Sequence, residues 1–177
     1  MITIKASNWS EVPCNFTGCI EWDYGSKEWL VNGILHRLDG PARVNSEGVE
    51  YWFKANNLHR VDGPAIQWSE KTYQWYFEGN LHRIGGPAIE NEDGERQWWV
   101  NGALHREDGP AMEESSGLTE WYLHGEHIYS LQSPLGDYVV IGESKFPSGV
   151  HWLGKPVSEL KILTAEGFKY IPKLPGI

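Results

Sequence analysis

Leu35-His36-Arg37-Leu38-Asp39-Gly40-Pro41-Ala42 is the first of four near-copies of one phrase. It returns as Leu58-His59-Arg60-Val61-Asp62-Gly63-Pro64-Ala65, as Leu81-His82-Arg83-Ile84-Gly85-Gly86-Pro87-Ala88 and as Leu104-His105-Arg106-Glu107-Asp108-Gly109-Pro110-Ala111, each 23 residues after the last. Trp29, Trp52, Trp75, Trp98 and Trp121 keep the same interval. A fixed period of this length marks a repeat architecture, in which each unit buries its faces against its neighbours. The array frays at both ends, as capping units do. Thr17-Gly18-Cys19-Ile20, Gly25 and Trp29 reproduce the second half of a unit, while Trp121, Gly125 and His127-Ile128-Tyr129 begin one that never reaches Asp-Gly-Pro.

Around each Trp the residues alternate as a strand does, between turn signals on both sides. One set of turns is Ser46-Glu47-Gly48, Glu92-Asp93-Gly94 and Ser116-Gly117; the other is read at Asn32-Gly33, Asn56-Asn57, Gly79-Asn80 and Asn101-Gly102. Asp-Gly makes a further tight turn, and Pro stands at the start of a strand, where its missing N–H costs least. Each unit is therefore a two-stranded hairpin with a reversing loop. The fold class is all-β, an elongated twisted antiparallel meander of tandem β-hairpin repeats with a small C-terminal cap. The ten Trp, eight Tyr, 20 Gly and 10 Pro in 177 residues agree with short strands and many turns, and the length predicts a core of ordinary size.

Residues 1–16 read as an N-terminal cap, 17–129 as the repeats and 130–177 as a non-repeat C-terminal module. In the last, Tyr138-Val139-Val140-Ile141 reads as a strand, and Ser158 to Gly167 as a short helix with a Ser cap and terminal Gly, or else as another strand. This module either covers the sheet's open edge or carries an activity of its own, in which case His151 is the residue to watch.

The Trp row and the residues that follow it, Leu30, Phe53, Tyr76, Trp99 and Tyr122, must point to opposite faces. A buried aromatic removes ~150–250 Å² from water, on the order of 4–6 kcal/mol before entropy, so at least one row must be core. The unvarying Trp row is assigned to structure together with the ladder Ile20, Ile66, Ile89 and Met112, which Arg43 interrupts. The varying row, with the irregular Trp68 and the arginine Arg83, gives the candidate binding residues Phe53, Trp68, Tyr76, Arg83, Trp99 and Tyr122.

His-Arg-x-Asp invites a catalytic reading, since His shuttles protons and an Arg–Asp pair orients substrates. Repetition argues against it: an active site needs one constellation, and the third copy tolerates Gly85 in place of Asp. Arg37 and Asp39, two apart in an extended segment, are placed to pair as a structural support. Equivalent histidines lie two strand spacings apart, ~10 Å, too far to share a zinc ion that needs donors at ~2 Å. Phosphate-loop, dinucleotide, nucleophile-elbow and zincin motifs are missing. No catalytic, cofactor or metal residues are assigned, and the chain is expected not to be an enzyme. Cys14 and Cys19 are read as free thiols.

The 23-residue unit resembles the MORN repeats, which are of about the same length with a Trp, Gly and His core. It is closer still to the Leu-His-Arg-x-Asp-Gly-Pro-Ala variant of tailed phages, giant viruses and some bacteria. The resemblance covers residues 17–129. The lipid-binding role often proposed for MORN arrays is not carried over, because His-Arg-x-Asp-Gly-Pro replaces the usual His-Gly-x-Gly. Trp29 to Trp121 also holds 8 basic and 15 acidic residues, a charge of −7. The whole chain carries −9, which disfavours nucleic acid and anionic membranes as partners. No apolar run approaches the length of about 18 residues that a spanning helix needs. The expectation is a cytoplasmic, non-enzymatic protein-interaction module. The resemblance implies a phage-encoded inhibitor acting on a host protein, such as one of a defence system, inside the infected cell. The alternative is a repeat protein that stacks a nucleotide or sugar on the aromatic row.

Overall fold

A computed structural model describes residues 1–133, 136–141, 160–164 and 167–171, with side chains for residues 1–127. The fold is all-β, a long meander of hairpin units. The units of Trp52, Trp75 and Trp98 are each built on a strand interrupted at its Trp. Before the Trp, two residues form a rung of the main sheet: Arg43–Val44 pairs with Glu50–Tyr51, and Glu50–Tyr51 with Ile66–Gln67. After the Trp, Phe53–Lys54 folds back on Asn57–Leu58 as a small side hairpin. The next units repeat this with Tyr73–Gln74 and Tyr76–Phe77, then with Arg96–Gln97 and Trp99–Val100.

The Trp backbone joins the two parts. Trp52 N–H donates to Ala65 O in the main sheet (2.8 Å), while Trp52 O accepts from His59 N–H on the side hairpin (2.9 Å). Successive side hairpins are also linked, Gly79 N–H to Leu58 O (2.9 Å) and Arg60 N–H to Tyr76 O (3.1 Å). Two hydrogen-bonded ladders thus run side by side along the array.

Among the described residues the main sheet has 14 strands, from Thr3–Ala6 through Gly18–Trp22 and Lys27–Val31 to Glu126–Ser133 and Gly136–Ile141. One pair departs from the antiparallel expectation: Thr3–Ala6 lies parallel to Gly18–Trp22. The segment between them, with a 3₁₀ turn at Trp9–Glu11, carries the chain back to allow this. Of the two readings of Ser158 to Gly167, the helix is corrected to a strand: Leu160–Thr164 pairs with Gly167–Ile171. Ile162 and Thr164 are β-branched, and a ladder partner outweighs a weak helix propensity.

The tight turns of the side hairpins sit at Asn32-Gly33, Ala55-Asn56, Glu78-Gly79, Asn101-Gly102 and His124-Gly125, with positive φ at both central residues. That is the type I′ geometry suited to two-residue hairpins. It corrects the expected Asn56-Asn57 and Gly79-Asn80 by one residue.

A core cluster lies at the N-terminal end, where Ala6, Phe16, Ile20, Trp22 and Leu30 pack with Ile4, Val12 and Leu35. Further along, Ala42, Ala65, Ala88 and Ala111 are fully buried beside each Trp, but the large side chains are mostly half-covered. Among the described residues, packing between neighbouring units takes the place of one large core, which suits a one-dimensional stack.

Candidate interaction surface

On the Trp face, three of the four repeats build the same clamp. Arg60 lies over the Trp52 ring (3.9 Å from centroid), its Nε–H donates to Asp62 Oδ1 (3.0 Å) and its Nη1 to Pro64 O (3.3 Å). Arg37 over Trp29 and Arg106 over Trp98 repeat it, with Asp39 and Asp108 at 3.0 and 2.8 Å. The pairing expected between Arg37 and Asp39 is formed. These arginines hold the Asp39 and Asp62 carboxyls below the usual aspartate range, chiefly through the hydrogen bond itself. The glycine of Asp-Gly-Pro completes the clamp from the other side: a Cβ on Gly63 would stand 2.7 Å from the Arg60 guanidinium carbon.

The histidines have an equally repeated task. His36, His59, His82 and His105 each accept, at Nδ1, the backbone N–H of the first turn residue in the next side hairpin, Ala55, Glu78, Asn101 and His124, at 3.1–3.2 Å. Those four residues all have φ near 50°, so the imidazole holds a strained corner in place. At the array's start Thr17 Oγ1 does the same for Asn32 N–H (2.8 Å).

The Trp row and the ladder Ile66, Ile89 and Met112, both assigned to structure, lie on opposite faces. Ile66 stands directly across from Gln74, and Gln74 Oε1 accepts the Tyr76 hydroxyl (3.1 Å), so Ile66 shares the face of the varying row. Trp75 lies between Gln74 and Tyr76 and must point away. On the varying-row face Trp99 Nε1–H donates to Gln97 Oε1 (3.0 Å) and Tyr122 OH to Glu120 Oε2 (2.8 Å). Burial pushes the Tyr76 phenol above its ordinary value. Where Arg43 interrupts the ladder, it faces the buried Glu28 (3.5 Å) and lies over Tyr51 (5.6 Å).

The six candidate residues therefore fall in three places. Phe53, Tyr76, Trp99 and Tyr122 form one half-buried row. Trp68, 44% exposed, follows the rung Ile66–Gln67 at the end of the rung away from that row. Arg83 is on the other face, over Trp75 (4.3 Å). The structure adds a row that the sequence reading passed over: Leu38, Val61 and Ile84, the variable residue of His-Arg-x-Asp, are 74%, 75% and 74% exposed. Three aliphatics at one loop position, each directly after an arginine, was the available signal. Glu107 ends the row.

At the N-terminal end a cleft of about 340 Å³ is lined by Lys5, Ala6, Ser7, Glu11, Glu21, Trp22 and Asp23. Lys27 beside Glu21 (2.8 Å) holds that carboxyl below its usual range, and Glu11 accepts from Ser7 N–H (2.9 Å). Cys14 is exposed and Cys19 buried, both free; burial is the main reason the Cys19 thiol is pushed up. Among the described residues no helix is long and apolar enough to cross a membrane. Comparison with family models, curated proteins and solved structures gave no match to this chain.

Proposed function

We propose that the chain is a non-enzymatic protein-interaction module that presents one loop edge of its repeat array to a partner protein. The observation that carries this reading is the exposed aliphatic row Leu38, Val61 and Ile84. Aliphatic side chains three-quarters exposed at equal steps give a partner a regular apolar stripe, and such stripes are characteristic of association surfaces. The His, Arg and Asp of the repeated phrase support it by default, because their polar atoms are engaged inside the array: the imidazole holds the turn of the next hairpin, and the Arg bonds brace their own loop. The resemblance to phage and viral repeat arrays suggests the partner, a host protein such as one of a defence system in the cytoplasm of the infected cell.

The nucleotide or sugar reading has less support. The rings it would use are half-buried, and Tyr76, Trp99 and Tyr122 spend their polar atoms on side chains two residues back. The test is capture from a host lysate with the wild-type chain and with the triple variant Leu38→Asp, Val61→Asp, Ile84→Asp. A protein retained by the first and lost by the second, at unchanged Tm, is the expected result. No retained protein, or equal retention, overturns the reading.

A further inference from the structure

The four phrases serve as internal controls for one another, and the third differs. In three repeats the arginine Nε–H meets an aspartate oxygen at 2.8–3.0 Å. In the third, Gly85 stands at the aspartate position with φ +80°, and a Cβ built there meets nothing within 4 Å. Arg83 keeps the rest of the clamp. It lies over Trp75 (4.3 Å) and Tyr73 (5.7 Å), and its Nη1 donates to Pro87 O (2.9 Å) and Tyr73 OH (3.4 Å). Among the described residues no carboxylate pairs with it. The nearby Glu90 carboxylate is taken by the Tyr73 hydroxyl and by Arg96 (3.2 Å). The guanidinium is therefore held by the same ring and carbonyl contacts as its siblings, a little further from its glycine and with Nη1 rather than Nη2 nearest to it, while no carboxylate meets its Nε–H among the described residues.

We infer that Arg83, at the Gly85 loop, binds a carboxylate brought by another molecule, which takes the position held by Asp39, Asp62 and Asp108 in the other repeats. Charge-assisted N–H···O⁻ bonds are the strong ones, and a guanidinium already immobilised on an aromatic ring loses less freedom in making them. Ile84, beside the site and 74% exposed, gives an apolar contact to whatever carries the carboxylate. This deepens the interaction reading above and rests on it for the source of the group: an acidic side chain of a partner protein or a small free carboxylate.

The experiment follows the arginine Nε–H resonances of the full ¹⁵N-labelled chain. The probes are sodium acetate, sodium phosphate, the blocked tripeptide acetyl-Ile-Asp-Gly-amide and its Asn counterpart. Expected is a shift of the Arg83 resonance with acetate and with the Asp peptide, none with the Asn peptide, and little movement of Arg37, Arg60 and Arg106. Gly85→Asp restores the sibling sequence and, since Asp39, Asp62 and Asp108 all lack the positive φ of Gly85, also calls for the loop to take up the sibling backbone. It should move the Arg83 resonance to the siblings' position without any probe and abolish the response. A response to the Asp peptide at lower concentration than to acetate assigns a protein-borne carboxylate; an equal response assigns the small anion. No Arg83 response, an equal response at all four arginines, a response to phosphate alone, or a response that survives Gly85→Asp overturns the site. Each of these would leave the lysate test of the aliphatic row standing, so the two readings fail separately.

Discussion

Gly63 is required for a reason unrelated to backbone freedom: its φ is ordinary, and the Arg60 guanidinium occupies the space where a Cβ would stand. Gly63→Ala should therefore lift Arg60 from Trp52 and lower stability by about 1–3 kcal/mol, as overpacking does. In a urea-unfolding double-mutant cycle with Arg60→Ala, most of that loss should disappear; full additivity would refute the contact. The histidines make a second prediction at this scale. Because His59 Nδ1 accepts from Glu78 N–H, the proton of the neutral ring belongs on Nε2. Nitrogen NMR at neutral pH should find the Nε2–H tautomer at His36, His59 and His82, and the opposite tautomer would contradict the bond. The Arg–Asp pairing was legible from two residues of spacing. The reason for the glycine was not, since it needs the third dimension to bring residue 63 under residue 60.

At the scale of the hairpin, register carries more information than composition. Asn32-Gly33 was read correctly, and adding 23 residues to it lands on Ala55-Asn56 and Glu78-Gly79, the turns observed. The Asn and Gly letters nearby drew the reading one position too far. Glu78 holds φ 50° without the side chain best suited to it. Glu78→Asn makes the Asn-Gly pair of the first and fourth hairpins and should gain up to about 1 kcal/mol, seen as a raised Tm. An unchanged or lower Tm would show that the His59 bond already removes the strain. The face of the ladder was not legible for a related reason. Alternation fixes which residues share a face within one strand, but only the cross-strand register says which residue of the next strand joins them.

Across the whole chain, stability is unevenly distributed. Leu30, 3% exposed in the N-terminal cluster, should cost about 2–5 kcal/mol when changed to Ala. The exposed Ile84 should cost little by the same urea unfolding. Protonation adds a global term. Asp39 and Asp62, held low by their arginines, and Glu90, held low first by the Tyr73 hydroxyl and then by Arg96, bind protons less readily folded than unfolded. Their contribution is complete above the unfolded carboxylate range near pH 4 and is lost as pH falls through the lower folded values. Tm should therefore hold from about pH 6 to 5 and fall below about pH 4; a Tm that rises on acidification would contradict the sign. The all-β repeat plan was legible at this scale because a period survives loss of detail. The small core was not, because apolar composition does not reveal whether side chains meet in one interior or are shared between successive neighbours.

The Trp junction, with its N–H on one ladder and its C=O on the other, has a consequence for descent. A unit meets only the unit before and the unit after through the same few bonds, so a duplication or deletion of one whole unit in the coding sequence rejoins matching ends. Lineages of such a chain can lengthen or shorten it without repairing a core, and single-unit departures such as Gly85 can accumulate while the adjoining units keep the frame.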